Sequence, residues 1–141
     1  MTDTTVGAIA DRSTTRNPAT YLPFAGRLLM AAIFILSGLG KIAAPAATIG
    51  YIGSAGLPLP SVGYALAILV EVGGGLALLL GFRARAAALV LAGFALVTAL
   101  AFHHALSDQN QFIHFVKNLA IAGGLLQVAA FGPGAVSIDR R

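Results

Sequence analysis

Residues 62–81 read Val-Gly-Tyr-Ala-Leu-Ala-Ile-Leu-Val-Glu-Val-Gly-Gly-Gly-Leu-Ala-Leu-Leu-Leu-Gly, an apolar run with a single charge, Glu71, near its middle. A run of about 20 apolar residues crosses the roughly 30 Å hydrocarbon core of a bilayer as a helix. An isolated charge at that depth costs about 2.5–3.5 kcal/mol on insertion scales. Glu71 must therefore be protonated, paired with a cation or open to water, and the rest of the chain has to supply that environment. The whole chain suits a membrane: 57% of its residues are hydrophobic and 10% charged, against about 25% charged in ordinary soluble domains.

Three further runs can span, at about 21–41, 86–103 and 112–131. The expected fold is an all-α transmembrane four-helix bundle. Between the first two spans, Pro45, Pro58 and Pro60 interrupt the pattern. That stretch is too broken for a span and predicts a short interfacial helix, near 46–55, followed by an extended link. Residues 1–20 are polar, with no apolar core before a small-residue cleavage site, so they predict a disordered cytoplasmic tail rather than a signal peptide. Residues 132–141, opened by Gly132-Pro133-Gly134, predict a second cytoplasmic tail. Arg12, Arg16, Arg83, Arg85, Arg140 and Arg141 all fall on one side of this topology, which places both termini in the cytoplasm.

The pI of about 10.1 does not point to nucleic acid, because the basic residues are spread over span ends and tails with no stripe or patch. The lipid bilayer is the expected partner. The absence of cysteine excludes disulfides, thiolate nucleophiles, iron–sulfur ligation and covalent haem attachment, so no covalently bound cofactor is expected. The Gly73–Gly75 run and Gly123-Gly124 lie inside apolar helices and predict packing sites rather than phosphate loops.

The topology gathers polar residues toward one end. Lys41 closes the first span, His103 and His104 close the third, and His114, Lys117 and Asn118 open the fourth. Glu71 lies roughly 13 Å below that end of its helix and Lys117 roughly 7 Å below. Two readings follow. In one, Glu71 forms a structural ion pair with Lys117 or Lys41 that fixes helix register. In the other, these groups build a polar pocket for a head group such as a quinone, whose carbonyls accept hydrogen bonds from Lys, His or Asn while a carboxylate or imidazole exchanges protons. His103 and His104 point about 100° apart on a helix, so at least one faces the interface. A bis-imidazole haem would need His103 and His114 at equal depth on facing helices. No HxH or HxxxH spacing offers a zinc site, and no metal is expected. Arg27, near the other end of the first span, predicts either snorkelling or substrate binding. Ser37 and Thr98 predict hydroxyls bonded back to their own helices. Tyr51 and Tyr64 suit an interfacial belt.

The chain resembles the DoxX-like family of small four-span bacterial membrane proteins. The likeness is carried by Arg27-Leu28-Leu29, Phe34, Ser37-Gly38 and Lys41, then Gly56-Leu57-Pro58, then Glu71-Val72-Gly73-Gly74-Gly75 with Leu79-Leu80-Gly81, then Lys117-Asn118-Leu119-Ala120 with Gly123-Gly124. It extends over about 21–131. The resemblance implies an inner-membrane protein associated with redox chemistry. Some family members are membrane subunits of quinone-reducing oxidoreductases, including thiosulfate:quinone enzymes; others are linked to oxidative-stress or thiol-redox partners. By position it implies ligand-binding roles for Glu71, Lys117, Lys41, Asn118 and Arg27, and more loosely for His103. No autonomous catalytic set is visible, so the chain is expected either to serve as a quinone-binding subunit fed by a partner, with homo-oligomers in view, or to be a non-catalytic anchor or scaffold for a soluble redox enzyme.

Overall fold

A computed structural model describes residues 17–139, which leaves most of the expected N-terminal tail and the last two residues outside the described part. Among the described residues the regular structure is entirely helical. A 3₁₀ turn at Pro18–Thr20 leads into α1, Leu22–Ala43. The residue before a proline disfavours helical geometry, and α1 stops at Ala43 just ahead of Ala44-Pro45. Pro45 then opens α2, Pro45–Ser54, since a proline in the first turn loses no hydrogen bond. Gly56, at φ +75°, turns the chain back. The second span follows as one continuous helical rod, Pro60–Leu80, made of α3 (Pro60–Ile68), a π-helical segment (Leu69–Gly74) and α4 (Gly75–Leu80). The remaining spans are α5, Ala84–Phe102, and α6, Gln109–Phe131.

All four rods are long and apolar enough to cross a membrane. The last span ends at Phe131 as expected but starts earlier, at Gln109, because Asp108 caps α6, its carboxylate accepting from the Gln111 amide at 2.9 Å. That cap satisfies a donor that the helix start leaves open. The core is built from small residues. Ala88, Ala92, Ala95 and Ala99 form a buried stripe on α5, at the three- and four-residue spacing of one helix face. Helix α6 packs along α5 as the most extensive helix pair in the bundle. Gly75 lets the second span approach α1 closely: a Cβ there would come within 2.8 Å of Ile35. Large apolar residues such as Leu29 and Phe131 stay about three-quarters exposed, which is the arrangement lipid favours.

The end away from Lys41 is closed by Arg27. Its guanidinium is fully buried, donates to the carbonyls of Leu78 at 2.8 Å and Leu79 at 3.1 Å, and donates to Val136 O. Leu78 and Leu79 belong to the last turn of the second span, where carbonyls lack the full intrahelical pairing, and Val136 belongs to the irregular segment after α6. Arg27 therefore does not snorkel; it ties α1 to the end of the second span and to the chain after α6. Gly81, at φ +69°, leaves room for it, since a Cβ there would meet the guanidinium at 2.7 Å. The segment after α6 folds back on the bundle. Ile138 N donates to Leu80 O at 3.1 Å and Asp139 N to Gly81 O at 2.9 Å. The Asp139 carboxylate then accepts from the amides of Arg83 and Ala84 at 2.7 and 2.9 Å, capping α5 from a distant part of the chain.

Candidate functional site

The other end of the bundle holds a cavity of about 360 Å³. It is lined from α1 by Phe34, Ser37 and Lys41, from α2 by Thr48, Tyr51 and Ile52, from the second span by Ala67 and Glu71, from α5 by Phe94 and Phe102, and from α6 by His114, Lys117 and Asn118. Every span contributes a wall, and α2 lies across it. Tyr51 of α2 stacks on Phe102 of α5, with ring centroids 5.1 Å apart and planes 18° from parallel.

Glu71 projects from the π-helical segment. The i→i+5 bonds of a π turn widen the helix locally and shift the register of the residues around it. An ideal α-helix would rotate residues 67 and 75 roughly 80° apart, yet Ala67, Glu71 and Gly75 are all buried on the bundle side. The widened turn reduces that drift. Gly38 of α1 completes the approach: a Cβ on it would lie 3.3 Å from Glu71 Cβ.

The carboxylate is held by a three-way contact. Lys41 Nζ lies 2.8 Å from Oε2 and donates to Oε1 at 3.0 Å. The Ser37 hydroxyl donates to the same Oε1 at 3.1 Å and accepts from Lys41 Nζ at 2.8 Å. Oε2 is buried and takes the charge of the ammonium without a directed hydrogen bond. The Glu71 side chain is 6% exposed and that of Lys41 26%, so the acid is shielded while its partner reaches the cavity mouth. Across the cavity, Lys117 Nζ lies 3.1 Å from His114 Nδ1. The His114 ring stacks on His103 at 5.0 Å, and His103 Nδ1 lies 2.9 Å from Gln111 Oε1.

The residues that point to a family now stand in one arrangement. The DoxX family description matches residues 22–104, from the start of α1 through His104. The chain is 48% identical over 117 residues to the inner membrane protein YqjF of Escherichia coli strain K12, an alignment covering 81% of this chain and 86% of that protein. It is 35% identical over 120 residues to the inner membrane protein YphA of the same organism, covering 82% and 86%. No solved structure matches. The chain belongs to the DoxX family. It is a multi-pass protein of the inner membrane, as its four apolar spans and these relatives agree.

In this DoxX-family protein the polar residues separate into two groups. Glu71, Lys41, Lys117, Asn118 and His103 line this cavity; Arg27 sits at the far end, committed to backbone carbonyls. Of the two cations considered for Glu71, Lys41 is the one in contact, and Lys117 pairs with His114 instead. His104 is exposed while His103 is half-buried. The parallel stacking of His103 on His114 presents ring faces to each other rather than two nitrogens to an iron between them. Thr98 bonds back to Ala95 O at 3.0 Å as expected. Ser37 does not bond backward, and its part in the site escapes sequence reasoning. The signal that could have found it is spacing: Ser37 and Lys41 stand four apart, so they share a helix face. Tyr64 donates to Lys41 O at 3.2 Å and steadies the end of α1.

Proposed function

We propose that the cavity receives the head group of a quinone or a similar small ring, and that this DoxX-family protein is the membrane-embedded member of a redox system. The observation that carries the reading is a buried, ion-paired carboxylate in the wall of a cavity of about 360 Å³ to which every span contributes. Ligand pockets run from about 300 to 1,000 Å³, and an ion pair that served register alone would need no cavity beside it. Phe34, Phe94 and Phe102 supply flat apolar walls for a ring. Lys117 and Asn118 supply donors for its carbonyls, and Glu71 or His114 a group for proton exchange. Electrons come from a partner protein. The Arg83–Arg85 turn lies at the end opposite the cavity, so the positive-inside rule turns the cavity toward the periplasm and both termini toward the cytoplasm.

The test is equilibrium binding of a short-chain ubiquinone analogue to purified protein. Glu71→Gln and Lys117→Met each weaken binding by about tenfold, the size of one charge-assisted hydrogen bond. Unchanged affinity in both variants removes the pocket. A second reading, a non-catalytic anchor for a soluble redox or oxidative-stress enzyme, is favoured by Arg83, which is exposed beside the bundle while Arg85 is held by Ala130 O at 3.1 Å. Crosslinking from position 83 in intact membranes, with partner recovery unaffected by Glu71→Gln, selects that reading.

A further inference from the structure

The charges around the cavity do not balance. Lys41 and Glu71 cancel each other across 2.8 Å. Lys117 is the second cation on the wall, and its side-chain contact is the ring nitrogen of His114 at 3.1 Å. An ammonium that donates to Nδ1 leaves the imidazole neutral, so that contact offers no counter-charge. The other titratable group facing it is His103, stacked on His114 and bonded to the neutral amide of Gln111; it can add positive charge but no negative. Among the described residues the remaining carboxylates lie elsewhere. Asp108 caps α6 through the Gln111 amide, about 13 Å along the helix from Lys117. Asp139 caps α5 at the opposite end of the bundle. Among the described residues, the positive charge of Lys117 at the exposed edge of the cavity thus has no carboxylate to balance it.

The cavity is also open at a level where lipid chains lie. Ile33 of α1 and Val97 of α5 line it from within apolar spans, yet they remain 40% and 63% exposed. Helix α1 packs closely on the second span but only sparsely on α6, and the two touch where Met30 Sδ approaches Gly124, more than two turns below Lys41. A ligand can therefore place its head at Lys117 and leave an apolar tail among the lipids.

From these observations we infer that the cavity selects a single-tailed amphiphile whose head group is a monoanionic oxygen acid, with Lys117 as the anion anchor. A long-chain carboxylate and an acidic hydroxyquinone share that chemistry. The inference rests on the cavity of the proposed function but not on its quinone.

The experiment compares two pairs of probes on the full-length protein in phosphatidylcholine nanodiscs, with empty nanodiscs subtracted. One pair is tetradecanoate and tetradecanol; the other is an alkylated 2-hydroxynaphthoquinone and its 2-methoxy twin. The anionic member of at least one pair binds about tenfold or more tightly than its neutral twin. Lys117→Met brings that pair to parity and Lys117→Arg keeps the preference; Lys117 is exposed, so neither change disturbs the core. Parity in both pairs with the natural residue, or a preference that survives Lys117→Met, overturns the inference. Binding of both naphthoquinones without preference, together with parity of the tetradecanoate pair, keeps the quinone reading and overturns this one. A carboxylate preference without any quinone binding does the reverse.

Discussion

A methyl group on Gly38 of α1 would come within 2.6 Å of Val72 Cγ2 on the second span. The two backbones are thus in near-contact one residue away from both Ser37 and Glu71, and the site exists because Gly38 has no side chain. Small residues at such crossings are how membrane helices approach closely.

Gly38→Ala is therefore expected to push α1 off the π-helical segment. Val72 is β-branched and stiff about χ1, so the backbone gives way instead, at about 1–3 kcal/mol. Thermal unfolding in detergent shows a lower midpoint, and Gly38→Ala with Val72→Ala recovers most of the loss. Failure of the second change to rescue the first sinks this account.

Removing the partners of the ion pair one at a time is expected to be asymmetric. Lys41→Met leaves the 6%-exposed Glu71 carboxylate without its cation, which costs about 3–5 kcal/mol for a buried pair. Glu71→Gln leaves Lys41 near the cavity mouth, where water can solvate it, and costs less. The double variant is more stable than Lys41→Met alone. A double-mutant cycle on thermal stability measures this coupling.

Arg27→Lys is expected to loosen the chain after α6. One ammonium cannot match the fork of a guanidinium that serves Leu78, Leu79 and Val136 together. Limited proteolysis read by mass spectrometry shows faster cleavage between residues 132 and 139. Equal cleavage rates for the variant and the natural protein remove the clasp.

Asp139→Ala is expected to lower stability by about 1 kcal/mol, the usual worth of an N-cap, because the amides of Arg83 and Ala84 lose their acceptor. Asp139→Asn keeps an acceptor oxygen and loses less. Hydrogen exchange at the first turn of α5 follows the same order.

What the sequence determined is the part set by length and hydropathy. Four runs long enough to span, a carboxylate inside one of them and prolines at 45, 58 and 60 fix the number of spans, the short helix between the first two and the end of the bundle where polar groups gather. These follow from local chemistry: a bilayer demands continuous apolar helices, and proline cannot be carried through a helix interior. Even the need of Glu71 for a partner was legible, because an unpaired charge in hydrocarbon is too expensive to leave alone.

Which partner it has was not. Both Lys41 and Lys117 were candidates, with Lys117 the nearer in depth by helix rise, and only the packing of α1 on the second span, allowed by Gly38 and aligned by the π turn at Leu69–Gly74, brings Lys41 to the acid. Arg27 carried no sign of its acceptors, since they are backbone carbonyls of residues more than fifty positions away and every residue type presents the same carbonyl. The capping of α5 by Asp139 was hidden for the same reason. Hydropathy is a property of each residue in its own stretch of chain, whereas pairing across helices depends on rotation and approach, and those are settled only when all the spans pack together.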